Sequence, residues 1–169
     1  MPGARWTTDA SENREVLSAL LREFASQATG VMPASNFKAY EQEIQSFCRG
    51  ESGEEMVARI ARYDGAEEWL QRAAKTLRAG SPTSAMLGFE LQRRTQSLDL
   101  ADTLRLELIV AIQCSARPDF TEGVRALLIE KDNKPQWQPR TLAEVTPQWI
   151  DGHFTAPVWP DSKHPLADL

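Results

Sequence analysis

The sequence predicts an all-α fold, a multi-helix domain that ends in an irregular C-terminal arm. Apolar residues recur at helical spacing along most of the 169 residues, and no convincing period-two pattern of a strand appears. Most apolar stretches also follow a residue that can cap a helix, and several stop at glycine. Since a chain of this length can bury a core without disulfides, we predict one helical domain over residues 1–169.

Four helices are predicted before residue 80, each with a capping residue ahead of an apolar stripe. The predicted caps are Asp9, Ser35, Ser52 and Asp64. Glutamates with capping-box spacing follow three of them, at Glu12, Glu55 and Glu67. The stripes contain Val16, Leu17, Leu20, Leu21 and Phe24, then Phe37, Tyr40, Ile44 and Phe47, then Met56, Val57, Ile60 and Tyr63, and finally Trp69, Leu70, Ala73 and Leu77. Gly50 and Gly80 are the predicted stops.

Three further helices are predicted after residue 80. Ser81 and Pro82 together begin a helix, because proline at the first position loses no hydrogen bond. The segment 98–116 is apolar almost all round, which is typical of a helix surrounded by others. Asp119 and Glu122 are predicted to cap the next helix. Its Val124, Leu127 and Leu128 are expected to pack inward, and its Arg125 to point outward.

Beyond Lys131 the composition changes, because prolines and tryptophans are concentrated in the last stretch. Thr141 with Glu144, and Thr146 with Pro147, predict two short helical turns in this arm. We interpret Trp137, which lies between two prolines, as a packing anchor, and residues 155–169 as an extended tail.

Composition excludes several classes of function. The net charge of −5 argues against a nucleic-acid-binding surface. No apolar run has the length of a membrane span, and no signal peptide is visible at the start, so we expect a cytoplasmic protein. Cys48 and Cys114 lack partners at metal-ligand spacing, and we predict buried or partly buried free thiols.

The sequence also predicts no catalytic residue and no metal ligand. His153 and His164 have no carboxylate or cysteine at the spacing of a triad or a metal site, so both are expected to be structural or solvated. The glycines are scattered instead of forming a phosphate-binding loop. Lys131 has two interpretations: it complements the C-terminus of the preceding helix, or it contacts a phosphate-bearing ligand.

Several motifs resemble one enzyme family. The run 119–126, with 128–132 and 135–139, resembles the C-terminal part of the 3-hydroxyisobutyryl-CoA hydrolases. These belong to the crotonase superfamily, also named enoyl-CoA hydratase/isomerase. The segment 81–84 and the weaker pattern 145–154 are similar to the same family, so residues 81–154 match best.

The resemblance implies a C-terminal helical region of a crotonase-type enzyme that hydrolyses a CoA thioester, in valine catabolism. In the family the catalytic groups lie N-terminal to the matched region, so this chain alone is expected to be inactive and to need no cofactor. The leading hypothesis is a domain that covers the CoA site and mediates subunit contacts, with a crotonase-type core or a second copy as partner. The alternative is a standalone interaction or oligomerisation module without catalysis.

The resemblance also implies a role for Lys131 as a contact to the CoA phosphates. The family often has an aromatic residue three positions earlier, against the adenine. Here that position is Leu128, which removes the stacking face.

Overall fold

The computed structural model describes residues 6–169, and within that range it contains helices and turns but no strand. This confirms the all-α prediction. The chain divides into two compact units, one that ends at Glu41 and one that spans Gln42–Leu169. Each unit is described by itself, and the prediction of one domain over residues 1–169 stays a prediction. No described helix has the length and apolar character needed to cross a membrane.

The first unit contains α1 (Ala10–Ala28) and α2 (Asn36–Ala39). The Asp9 carboxylate accepts hydrogen bonds from the first-turn backbone N–H groups at 2.7 and 2.9 Å, which confirms the predicted cap. The apolar stripe lies on α1 as predicted, but no residue along this described helix is buried. The helix predicted after Ser35 is interrupted at Tyr40, whose φ of −115° and ψ of 26° leave the helical region, and α3 starts at the next residue.

The second unit is built from short helices and a turn-rich arm. They are α3 (Glu41–Phe47), α4 (Gly53–Ala61), α5 (Glu68–Ala79), α6 (Pro82–Thr95), α7 (Leu100–Ser115), α8 (Pro118–Val124), a π turn (Arg125–Ile129), a 3-10 turn (Leu142–Glu144), α9 (Pro147–Asp151) and a last 3-10 turn (Gly152–Phe154). The two helical turns predicted in the arm are therefore confirmed. Residues 155–169 contain turns but no regular helix.

Helix starts follow the predicted chemistry at α4 and α6 but not at α5. The Ser52 and Ser81 hydroxyls accept the N–H groups three residues on, at 3.2 and 3.0 Å, and so cap α4 and α6. Asp64 does not cap α5, because bends at residues 65 and 66 separate it from the helix start. Glu67 occupies the cap position without a side-chain hydrogen bond to the helix. Gly80 ends α5 as predicted.

The core of the second unit lies between α6, α7 and α9, where Leu87, Val110 and Ile150 pack together. The prediction that α7 is surrounded by other helices is wrong. Along α7, which the structure describes in full, Val110 is the one buried residue, while Leu100 is 75 % exposed. α6, α8, α9 and the 3-10 turn at 152–154 all pack near α7, yet they leave part of its apolar surface uncovered.

Asp119 and Glu122 attach the arm to α8 instead of capping that helix. The predicted capping box is wrong because α8 starts one residue before the predicted cap. The two Asp119 carboxylate oxygens accept the Gln138 backbone N–H at 2.8 Å and the Ser81 hydroxyl at 2.5 Å. Glu122 Oε1 accepts the Gln136 backbone N–H at 2.6 Å. The bonds from Gln138 and Gln136 satisfy backbone N–H groups of the arm, which has no regular helix or sheet at these residues to accept them.

Trp137 lies between those two attachment points and packs against the helices. Its indole N–H donates to the Ala79 carbonyl at 2.9 Å, at the end of α5. A Cβ built on Gly123 of α8 would lie 3.4 Å from the indole ring, an ordinary contact distance, so the ring lies directly beside α8. Trp137 is therefore the packing anchor that the sequence predicts.

The π turn changes which side chains face inward. Its last bond joins the Glu130 N–H to the Arg125 carbonyl at 2.8 Å, five residues back, and this wider turn rotates the side chains relative to an α-helix. Ala126 is fully buried. The next three side chains are exposed, at 52 % for Leu127, 67 % for Leu128 and 71 % for Ile129. The prediction that Leu127 and Leu128 pack inward is therefore wrong.

Arg125 points outward as predicted, and at the surface it joins three carboxylates. Its Nε and Nη2 donate to Glu122 at 2.9 and 2.7 Å, and its Nη1 contacts Glu130 and, at 2.8 Å, Asp132. The Arg125 hydrogen bonds, with that of the Gln136 N–H, lower the pKa of Glu122 to about 2. This cluster fixes the exit of the π turn.

The cysteines differ in their surroundings. Cys114 is half-buried on α7, as predicted, and burial raises the pKa of its thiol. Cys48 is exposed, which corrects the prediction of a buried or partly buried thiol at that position, because it follows the last turn of α3.

Gly53 and Gly88 provide a matched pair for testing the α4–α6 contact. A Cβ at Gly53 would lie 2.5 Å from the Phe89 ring, whereas nothing lies within 4 Å of a Cβ at Gly88. We expect Gly53→Ala to lower the free energy of unfolding by about 1–3 kcal/mol through overpacking. Gly88→Ala should raise it by about 0.5–1 kcal/mol, because alanine favours a helix interior. Urea unfolding followed by circular dichroism measures both, and a stabilising Gly53→Ala would contradict the packing described.

The acid dependence of stability tests the Glu122 cluster. The pKa of Glu122 is about 2 in the folded chain, against an ordinary 4.5. The stabilisation from this carboxylate is therefore complete above about pH 4.5 and lost as the pH falls from there toward 2. Glu122→Gln should be less stable at pH 7, and its free energy of unfolding should fall less steeply between about pH 4.5 and 3.

Glu68→Gln is the control for that experiment, since the side chain of Glu68 is 86 % exposed and pairs only across one turn with Arg72. Urea unfolding at a series of pH values compares the two variants. If the free energy of unfolding changes equally with pH in Glu122→Gln and in the unmodified chain, Glu122 is not the source of this pH dependence.

Candidate functional site

A cavity of about 530 Å³ lies in the second unit, bounded by the start of α6, the end of α7, α8, α9 and the arm. Most of its wall is apolar. The apolar side chains include Leu87, Phe120, Val124, Leu127, Trp137 and Trp149. Its volume is within the range of small-molecule pockets, which are also mainly apolar with a few placed polar groups.

The charged groups in this wall are already bonded within the protein. Asp119 accepts one hydrogen bond from the arm, from the Gln138 backbone N–H, and one from the Ser81 hydroxyl at the start of α6. The Arg117 guanidinium donates to the Gln113 carbonyl at 2.8 Å, to the Gln113 side-chain oxygen at 2.5 Å and to the Gly152 carbonyl at 2.9 Å. The described residues also contain no group of three His, Cys, Asp or Glu side chains that could hold a metal ion. The cavity therefore favours a neutral ligand over an ion.

His153 lies in the cavity wall and is 2 % exposed. Its Nδ1 is 2.9 Å from the Trp149 carbonyl oxygen; a carbonyl only accepts, so Nδ1 carries the proton. Burial lowers the pKa of His153, and the positive charge of Arg117 lowers it further, while the backbone carbonyls of Trp149 and Ile150 oppose this shift. His153 is thus a neutral, structurally bonded imidazole at neutral pH.

Thr83 is a wall residue that sequence reasoning did not single out. Its hydroxyl oxygen accepts the Trp149 indole N–H at 3.0 Å, and its side chain is buried. The two residues are 66 positions apart, and no spacing rule links them. The one sequence signal for Thr83 is its place as the second residue after the capping Ser81, which puts it in the first turn of α6.

His164 lies away from this cavity and has a structural role. Its Nδ1 accepts the Leu166 backbone N–H at 3.0 Å, so its Nε2 carries the proton and donates to the Arg105 carbonyl at 3.1 Å. Arg105 in turn donates to the carbonyls of Leu166 and Leu169, at 3.0 Å each. These bonds fasten the last turns of the chain to α7.

Lys131 lies outside the cavity wall, exposed, just after the π turn. Its φ of 55° is left-handed, the conformation that commonly ends a helix. The carboxylates near the π turn are paired with Arg125. The structure therefore separates Lys131 from the cavity residues, and its contact with CoA stays a prediction.

Comparisons with known proteins agree with the resemblance seen in the sequence. The model of the enoyl-CoA hydratase/isomerase family matches residues 4–154. The 3-hydroxyisobutyryl-CoA hydrolase, mitochondrial, of Xenopus laevis is 33% identical over 135 residues, which are 80% of this chain and 34% of that protein. The Gallus gallus protein of the same name is 31% identical over 85% of this chain and 37% of its own length.

Solved structures show the same relationship in the fold. A carnitinyl-CoA dehydratase from Mycobacterium thermoresistibile matches 92% of this chain and 45% of its own, with a TM-score of 0.66 and 28% identity. An enoyl-CoA hydratase from Rhodobacter sphaeroides matches 83% of this chain and 43% of its own, with a TM-score of 0.65; at 24% identity it supports the fold alone. The chain spans roughly a third of the curated relatives named above. With a family model matched over nearly its whole length, this chain belongs to the enoyl-CoA hydratase/isomerase family.

Proposed function

We propose that this chain is the C-terminal helical portion of an enzyme that hydrolyses 3-hydroxyisobutyryl-CoA. The observation that carries the proposal is the match to proteins of that name over 80% of this chain and 34% of theirs. The cavity supports it indirectly, because Asp119 and Arg117 are both committed to bonds within the protein and neither is free for proton transfer. The catalytic groups would then belong to the part of the enzyme beyond this chain.

Uncovered apolar surface supports a covering role. Three consecutive side chains of the π turn are more than half exposed, and so are Leu100 and Phe120. Apolar surface of this kind usually marks a contact with another protein surface. A crotonase-type core, contributed by the missing two-thirds of a family member or by a neighbouring subunit, would bury it.

The alternative is a standalone helical module that uses the same surface to self-associate or to bind a partner. The observation that favours it is the number of helix attachments made within the second unit, such as those of Asp119, Glu122 and Arg105, which need no outside core. Sedimentation velocity tests the module: a clean monomer that binds no partner would count against it.

The proposed contact of Lys131 with CoA phosphate rests on its exposure and its place at a helix exit. An exposed ammonium suits a phosphate as a point charge. Leu128, 67 % exposed on the same turn, offers apolar contact but no stacking face. A place in valine catabolism and a cytoplasmic location stay predictions; the Xenopus laevis and Gallus gallus relatives carry the word mitochondrial in their names.

The purified chain should not hydrolyse 3-hydroxyisobutyryl-CoA. A thiol-release assay should give no turnover above buffer, because Asp119 and Arg117, the charged residues of the cavity wall, are both held in bonds within the protein. Turnover that a substitution within this chain abolishes would overturn the assignment of catalysis to another region. Reading the DNA upstream of the first codon complements the assay: an in-frame crotonase core supports the enzyme, and a stop codon supports the module.

Calorimetry with CoA tests Lys131 separately. If the chain binds CoA, we expect Lys131→Ala to weaken binding by about tenfold, since a hydrogen bond to a charged group contributes on the order of 1.5 kcal/mol. Lys75→Ala, which removes another exposed lysine from α5, is the matched control and should leave the affinity unchanged. Equal affinities of both variants and the unmodified chain would rule out the phosphate role of Lys131.

A further inference from the structure

We propose that the cavity of the second unit binds a neutral molecule with an apolar body and a hydroxyl group that donates a hydrogen bond to His153 Nε2. This inference does not depend on the proposed hydrolase function. It rests on two buried polar side chains in the cavity wall, His153 and Thr83, each of which has hydrogen-bonding capacity left over.

His153 supplies the acceptor. Its Nδ1–H is used by the Trp149 carbonyl, so the neutral ring presents a lone pair on Nε2. Within residues 6–169 the structure gives Nε2 no hydrogen-bond partner, although His153 is only 2 % exposed. No fully enclosed side-chain nitrogen or oxygen of the described chain lacks a partner, so Nε2 is not fully enclosed, and His153 is one of the residues that line the cavity. A buried acceptor of this kind is stabilised by a donor that enters the cavity.

Thr83 supplies the complementary donor. Its oxygen accepts the Trp149 indole N–H at 3.0 Å, and a hydroxyl that accepts can still donate its own hydrogen. In the described part of the chain that hydrogen has no acceptor. Trp149 thus bonds to both residues, with its indole N–H to Thr83 and its carbonyl to His153, and all three line the same cavity. A hydroxyl group, which donates and accepts, fits this pair better than a group that only accepts.

The remainder of the wall selects against charge. Arg117 and Asp119 are bonded to protein groups, and the thiol of Cys114 has a raised pKa and stays neutral. The aromatic and aliphatic side chains of the wall, including Phe120 and Trp137, favour an apolar body. An anion or a cation would enter without a free partner of opposite sign, at a large desolvation cost.

Benzyl alcohol and ethylbenzene are matched probes, since they have nearly the same shape and differ in the hydroxyl group. The readout is ¹⁵N NMR of the imidazole nitrogens, which is simple because the chain has two histidines. Benzyl alcohol should shift the His153 Nε2 resonance saturably in the direction of an accepted hydrogen bond. His164, whose two nitrogens already have partners, is the internal control and should not respond.

Ethylbenzene should bind without that Nε2 shift. His153→Phe keeps a ring in place but removes the acceptor, so it should weaken benzyl alcohol binding by about tenfold and change ethylbenzene binding by less than about twofold. Three results would overturn the proposal: neither probe binds, benzyl alcohol binds without shifting Nε2, or the substitution weakens both probes equally. If His153→Phe fails to fold, the NMR titration of the unmodified chain decides the question alone.

Discussion

The arm of the second unit depends on two carboxylates that accept backbone N–H groups from it. Asp119 takes the N–H of Gln138, and Glu122 takes that of Gln136, so Trp137 between them is held against α8. An irregular segment has no periodic hydrogen bonding of its own, and each buried or half-buried donor needs a separate acceptor. Because the arm forms one wall of the cavity, these two side chains also determine the cavity's shape. The site is thus a product of the arm's attachment and not of any single helix.

Local chemistry explains which parts of the fold could be predicted from sequence. Serine and aspartate caps at Ser35, Ser52, Ser81 and Asp9 were recognisable, because a cap involves only the next three residues. Asp119 and Glu122 have the same spacing as a capping box, yet their partners come from about 14 to 38 positions away. Spacing rules do not contain such partners. The π turn was not predicted for a similar reason, because hydrogen bonds to the carbonyl five residues back do not change the apolar periodicity in a recognisable way.

The candidate site was predictable only in part. The resemblance identified the family, and Trp137 was recognised as an anchor, but His153 and Thr83 were not linked before the structure placed both beside Trp149. The exposed apolar side chains of α7 explain another error. A helix that is apolar all round predicts neighbours on all sides, but the described residues cover only part of the surface of α7. The curated relatives, of which this chain spans roughly a third, contain enough additional sequence to provide further neighbours.

The π turn also has a consequence for how this chain tolerates changes in length. A π turn contains one more residue than the α turn it replaces, so it behaves as a single-residue insertion that the helix has absorbed. Deleting one residue between Arg125 and Ile129 would therefore return the segment to α-helical pitch without breaking the chain. The deletion would rotate the exposed leucines toward the position that Ala126 now fills, and would move the Arg125 ion pairs out of register. Related chains that lack the extra residue should consequently carry a smaller or differently shaped apolar surface at this turn.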